Sequence, residues 1–323
     1  MSEPEHFRRE PRPVTVAAIQ VAMSWDSEGN IARAERLVRE AATRGAQIIL
    51  LPELFETPYF CIEQDARHLA LARPTAENRA VQHFAAIARE LGVVLPISFF
   101  ERAGRAYFNS IAILDADGTN LGVYRKSHIP NGPGYQEKNY FSPGDSGFRV
   151  WETRFARIGV GICWDQWFPE TARAMALTGA ELFFFPTAIG TEPPPALPVN
   201  SREHWQRTQQ GHAAANLTPL VAANRYGIER SLQDPQGLYI RFYGSSFIAD
   251  AMGAIVAAAP EEGEAVLTHT FDLEAIAALR DNWFVFRDRR PELYGVLSSL
   301  DGRGGAAQAS APARRPRPRA GGD

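Results

Sequence analysis

The chain has 323 residues, 45% hydrophobic and 22% charged, with a formal net charge of -3. That balance suits a globular protein with a sizeable core and excludes a global basic surface for nucleic acid or an anionic membrane. Its two cysteines, Cys61 and Cys163, form no disulfide framework, C-x-x-C pair or zinc set, and no apolar run nears the roughly 20 residues of a membrane span.

In chain order, residues 1–13 (MSEPEHFRREPRP) read as a flexible polar arm without the apolar centre of a secretion signal, so the expected setting is soluble, reducing and cytoplasmic. VTVAAIQVA reads as a strand. The helix that follows places Ile31, Ala34, Leu37, Val38 and Ala41 on one face and can end at Gly45. AQIILLPE is a buried strand stopped by Pro52; ENRAVQHFAAIARELG is an amphipathic helix; VVLPISFF is another strand. YFNSIAILDADGTNLGVYRK reads as a hairpin in which Asp117-Gly118 supplies the positive φ angles of the turn. The second half continues the alternation, with RIGVGIC a strand, PETARAMALTG a helix and AELFFFPTA a strand. REHWQRTQQGHAAANL is then a helix and TPLVAANR a strand, followed by a hairpin turning at Asp250 to Gly253. Helices mixed with crossover strands and hairpins point to a layered α/β sandwich with a mixed sheet. Residues 301–323, rich in Gly, Ala, Pro and Arg, read as a disordered tail.

Reacting groups in such folds collect at strand ends. Three strands end near useful residues: Glu53, Lys126 and Cys163. Each alone has a plain reading: loop carboxylate, surface lysine, core thiol. Together they make a thiol nucleophile, a base to take its proton, and a cation to hold an oxyanion, with the Trp164 N–H as second donor. His128, near Lys126, is either a pocket residue or an ordinary loop histidine. PGDSGF around Ser146 echoes a serine-protease motif but sits in a turn outside any all-β pattern and is set aside.

LLPELFETPYFC, YRKSHIPNGPGYQEKNYF and GICWDQWFPE, with PTAIG, YGSSFIAD and FRDRRPELY, resemble the nitrilase superfamily of carbon–nitrogen hydrolases over residues 14–300. The resemblance implies an αββα sandwich acting as a homodimer or larger homo-oligomer on a small molecule, without metal or other cofactor. It implies catalysis by Glu53, Lys126 and Cys163, with Glu137 as a second active-site acid or a positioner for Lys126. Within the superfamily the sequence is most similar to enzymes that hydrolyse the ureido group of N-carbamoylputrescine. Gln166, Trp167 and Phe168 stand where relatives that take N-carbamoyl amino acids often carry an arginine. Without it a buried substrate carboxylate has no partner. Aromatic walls favour an ammonium instead, and Glu192 either pairs with it or is an exposed loop acid. Tyr135, Trp167 and His128 complete the expected substrate-binding set. The rivals are a carbamoyl-amino-acid or 3-ureidopropionate hydrolase, an ω-amidase, and a non-catalytic module with a vestigial triad.

Overall fold

The computed structural model describes residues 10–193 and 200–303. Most of the expected N-terminal arm, and the expected tail from Gly304 onward, lie outside the described residues. The chain divides into two compact units, up to Leu279 and from Arg280 on.

The elements run β1 (Pro13–Gln20), α1 (Ser27–Thr43), β2 (Ile48–Leu50), α2 (Arg79–Leu91), β3 (Leu95–Ala103), β4 (Ala106–Leu114), β5 (Asn120–Arg125), β6 (Val150–Glu152) and β7 (Arg157–Val160). Then come α3 (Pro169–Leu177), β8 (Leu182–Pro186), α4 (Arg202–Asn216), β9 (Leu220–Ala223), β10 (Tyr226–Arg230), β11 (Tyr239–Tyr243), β12 (Phe247–Ala249), β13 (Ile255–Ala258), β14 (Ala265–Asp272) and α5 (Leu273–Trp283). The segments read from the sequence all form. β6, β10, β11, β14 and α5 are additions.

Local chemistry sets the ends. Asp26 caps α1 by accepting the Gly29 N–H at 3.0 Å, and Asn78 caps α2 by accepting the Val81 N–H. The buried stripe of α1 is Asn30, Ala34, Leu37, Val38 and Ala41, with Ile31 only partly buried. Asn30 is tolerated inside because its amide donates to the carbonyls of Ser24 (2.6 Å) and Glu56 (3.0 Å). In the β4–β5 connection only Gly118 has positive φ, +82°. Asp117 does not; its carboxylate instead accepts the Thr119 N–H, a local bond that shapes the turn.

One layer joins β14–β1–β2 to β3–β4–β5 through a parallel bridge between Ile48 and Val94. The facing sheet has the order β13–β12–β9–β8–β7–β6, with β7, β8 and β9 parallel and the rest antiparallel. Between the sheets lie Val16, Ile48, Ile111, Val160, Phe184 and Val221. The outer face of the first sheet packs Ile19, Ile49 and Ile97 on Leu37 of α1 and Phe84 of α2. The outer face of the second packs Phe183 and Phe185 on Met175 of α3 and Trp205 of α4. Strands buried on both faces, with helices outside each sheet, make the expected αββα sandwich. Stacking the two layers brings the C-terminal ends of β2 and β5, from the first, and of β7, from the second, to the same region of the fold.

Candidate active site

Glu53, Lys126 and Glu137 are each wholly buried. Lys126 follows β5 directly, and its Nζ lies 2.8 Å from Glu53 Oε1 and 2.8–2.9 Å from both oxygens of Glu137. Two further side chains hold the acids: Asn109 Nδ2 donates to Glu53 Oε1 at 2.6 Å, and the Tyr59 hydroxyl donates to Glu137 Oε1 at 2.6 Å. Glu53 Oε2 is buried with no partner, which leaves one carboxylate oxygen able to take a proton.

Cys163 opens a short 3-10 helix, Cys163–Trp167, just after β7. Its φ of +40° is a left-handed backbone at a non-glycine residue, a strain that persists only where surroundings enforce it. Asp165 is the enforcing group. Its buried carboxylate accepts the Ile162 N–H, the His128 N–H and the Tyr124 hydroxyl, and lies 2.7 Å from His128 Nδ1. The turn that carries Cys163 is thereby tied to residues on both sides of Lys126. Gly161 allows the close approach behind it: a Cβ there would sit 2.7 Å from Phe185 Cε1. The Trp164 N–H, in the first turn of the helix, has no intrahelical acceptor.

The electrostatics are those of a buried, acid-rich pocket. Burial, reinforced by Glu53, pushes the Cys163 thiol well above its ordinary value despite the opposing pull of Lys126. The thiol therefore rests neutral and needs a base to react. Burial alone pulls Lys126 down, but Glu137 and then Glu53 outweigh it and hold the ammonium well above its usual range. Burial pushes Glu137 up to about 7 against the attraction of Lys126.

Cys163 and Glu137 line a cavity of about 160 Å³ together with Tyr135, Trp164, Trp167 and Glu192. Glu53 and Lys126 are not among its wall residues; they lie behind them, closed to solvent. Glu192 Oε1 accepts the Ser201 hydroxyl at 3.0 Å, while Oε2 is buried and unpartnered. Burial raises the Glu192 carboxyl. The Tyr135 hydroxyl accepts the Gly190 N–H at 3.0 Å, which fixes one wall. His128 is not in the cavity wall. Its ring stacks on Phe168 with centroids 3.6 Å apart and reaches Asp165, so it braces the turn that carries Cys163. Cys61 is wholly buried in an aromatic cluster with Tyr59 and Phe60.

Asn109, Tyr59 and Asp165 escaped the sequence reading as functional positions, and Gln166 entered it only as one of the residues standing in place of an arginine. Asn109 has a trace signal, a polar residue inside an apolar strand. The Gln166 Oε1 accepts Trp205 Nε1 at 2.8 Å and Gln209 Nε2 at 2.7 Å. That orientation leaves its Nε2 buried without a partner, on a residue of the cavity wall.

A strained cysteine and a fully buried Glu-Lys-Glu cluster meet here, at strand ends of an αββα sandwich, an arrangement with the groups that thiol-dependent hydrolysis needs. The carbon-nitrogen hydrolase family model matches residues 15–281, and the chain belongs to that family. It is 56% identical to the N-carbamoylputrescine amidase of Arabidopsis thaliana over 300 residues, covering 93% of this chain and 99% of the relative. It is 50% identical to a citrullinase of Francisella tularensis, covering 88% of this chain and 98% of the relative. The crystal structure of a carbon-nitrogen hydrolase from Helicobacter pylori G27 superimposes with a TM-score of 0.83 at 36% identity, over 89% of this chain and 99% of that one. The protein is accordingly a carbon–nitrogen hydrolase with the nitrilase-like sandwich.

Proposed function

We propose that the protein hydrolyses N-carbamoylputrescine to putrescine, carbon dioxide and ammonia, a step of polyamine synthesis. The observation that carries this reading is Glu192: a buried, unpartnered carboxylate oxygen in the same aromatic-walled cavity as Cys163. An anionic acceptor with Trp164, Trp167 and Tyr135 around it suits a distal ammonium, by ion pairing and by cation–π attraction.

Glu53 takes the thiol proton, and the Cys163 sulfur attacks the ureido carbonyl carbon. Lys126 and the Trp164 N–H hold the oxyanion, and Glu137 keeps Lys126 aligned. The C–NH2 bond breaks, ammonia leaves with the proton from Glu53, and a thiocarbamate links substrate to Cys163. Glu53 then deprotonates a water that attacks this carbonyl, the C–S bond breaks, and the thiolate recovers its proton. The released carbamic acid loses carbon dioxide to give the diamine. We further propose that the enzyme is a cytoplasmic homodimer or larger homo-oligomer, to be checked by light scattering. Among the described residues no helix is long and apolar enough to cross a membrane.

The test is ammonia release by the purified protein from N-carbamoylputrescine, 3-ureidopropionate and citrulline. Strong preference for the first is expected, and a Cys163→Ser protein that kept most of the rate would refute the mechanism. Citrulline is the second reading, and the citrullinase relative brings it forward. Besides the acceptor on Glu192, the cavity wall carries two buried donors without partners, Gln166 Nε2 and Trp167 Nε1. Two N–H groups are the means available to hold an α-carboxylate where no arginine stands.

A further inference from the structure

We infer that Arg225 is a positioning residue for catalysis: its guanidinium holds the Glu53 loop in the one conformation that aims the Glu53 carboxylate. The inference rests on the assignment of Glu53 as the base.

Arg225 lies between β9 and β10, wholly buried. Its fork collects backbone carbonyls from the loop after β2. Nη2 donates to the Glu53 carbonyl at 2.6 Å and to that of Leu54 at 3.1 Å, and Nη1 donates to that of Thr57 at 3.2 Å. The loop needs such a grip. Leu54 has φ of +47°, a costly backbone for a branched residue, and its N–H is tied separately to Ser98 Oγ at 2.9 Å. With the N–H fixed on one side and the carbonyls on the other, the direction in which Glu53 leaves the chain is set.

The counter-ion extends the same control to the second acid. Glu229 pairs with Arg225 Nη1 at 2.9 and 3.1 Å. It also accepts the Tyr59 N–H, and the Tyr59 hydroxyl donates to Glu137. Phe242 closes the far side, its ring centroid 5.3 Å from the guanidinium carbon and 6.0 Å from that of Tyr59. One buried ion pair thus holds the backbone of Glu53 and that of Tyr59, whose hydroxyl holds the Glu137 carboxylate. A buried pair adds little net stability over apolar packing, whereas a planar fork gives fixed geometry that a lysine cannot copy.

The test is a mutant cycle of Glu53→Gln, Arg225→Lys and the double variant, each shown folded by circular dichroism and assayed for ammonia release. Arg225→Lys is expected to lower kcat about 100-fold with KM within about threefold, the cost of a misplaced group. The double variant is expected to be no more than about threefold slower than Glu53→Gln alone, because both changes disable one function. Multiplying losses, or an unchanged kcat in Arg225→Lys, overturn the inference while leaving Glu53 as base. A wild-type rate in Glu53→Gln removes the base assignment and this inference with it. If Arg225→Lys does not fold, the cycle is run with Glu229→Gln, which loosens the same guanidinium and carries the same expectation.

Discussion

Replacing Glu192 by Gln removes a charge and leaves the shape of the cavity wall, so it isolates the proposed contact with a distal ammonium. The residue is half-buried, one oxygen is held by Ser201, and the other is unpartnered. Two unit charges 4 Å apart at an effective dielectric near 20 attract by about 4 kcal/mol. Partial exposure and the hydrogen bond that Gln retains reduce the loss to about 2–3 kcal/mol. That corresponds to a fall of about 30- to 150-fold in kcat/KM. The assay compares N-carbamoylputrescine with butylurea, which has the same carbon chain and no amine, in wild type and in Glu192→Gln. Only the cationic substrate should suffer, and mostly through KM, because the ammonium sits away from the reacting carbon. Equal losses on both substrates, or no loss on either, would refute the cation-pocket reasoning.

Three further outcomes follow from the geometry. Glu53→Gln should nearly abolish turnover yet shift the pH midpoint of Cys163 alkylation by iodoacetamide downward, since the Glu53 charge is one cause of the raised thiol; an upward shift would contradict the assigned electrostatics. A carboxyl raised to about 7 is protonated below that pH, so Glu137 loses its grip on Lys126 as acidity grows. The kcat/KM profile should therefore fall as pH drops through about 7, and Glu137→Gln should be slower overall and lack that limb. Gly161→Ala puts a methyl 2.7 Å from Phe185 Cε1 and 3.2 Å from Thr171 Cγ2. Such overpacking should cost about 1–3 kcal/mol in urea unfolding, with wild-type stability as the refuting result.

The amino-acid pattern alone determined the sandwich class and the principal helices and strands, and it singled out Glu53, Lys126 and Cys163, of which the structure joins the first two directly and sets the third in the cavity wall. Apolar periodicity is local, and each of these three residues stands in a short motif beside a strand end. It misled where a local preference lost to a contact from elsewhere. Asn30 is buried more fully than Ile31 because two carbonyls, one from Glu56, satisfy its amide. His128 leaves the pocket because Asp165, 37 residues away, captures its ring. β14 was invisible because its pairing with β1 joins Pro13 to Asp272 and Gln20 to Ala265 across most of the chain. Only the tertiary structure could decide that Arg225 reaches back 172 residues to the Glu53 carbonyl, or that Glu53 keeps one oxygen unpartnered. Motifs record which groups react; their aim and their proton affinities come from burial and from partners distant in sequence, which no local window contains.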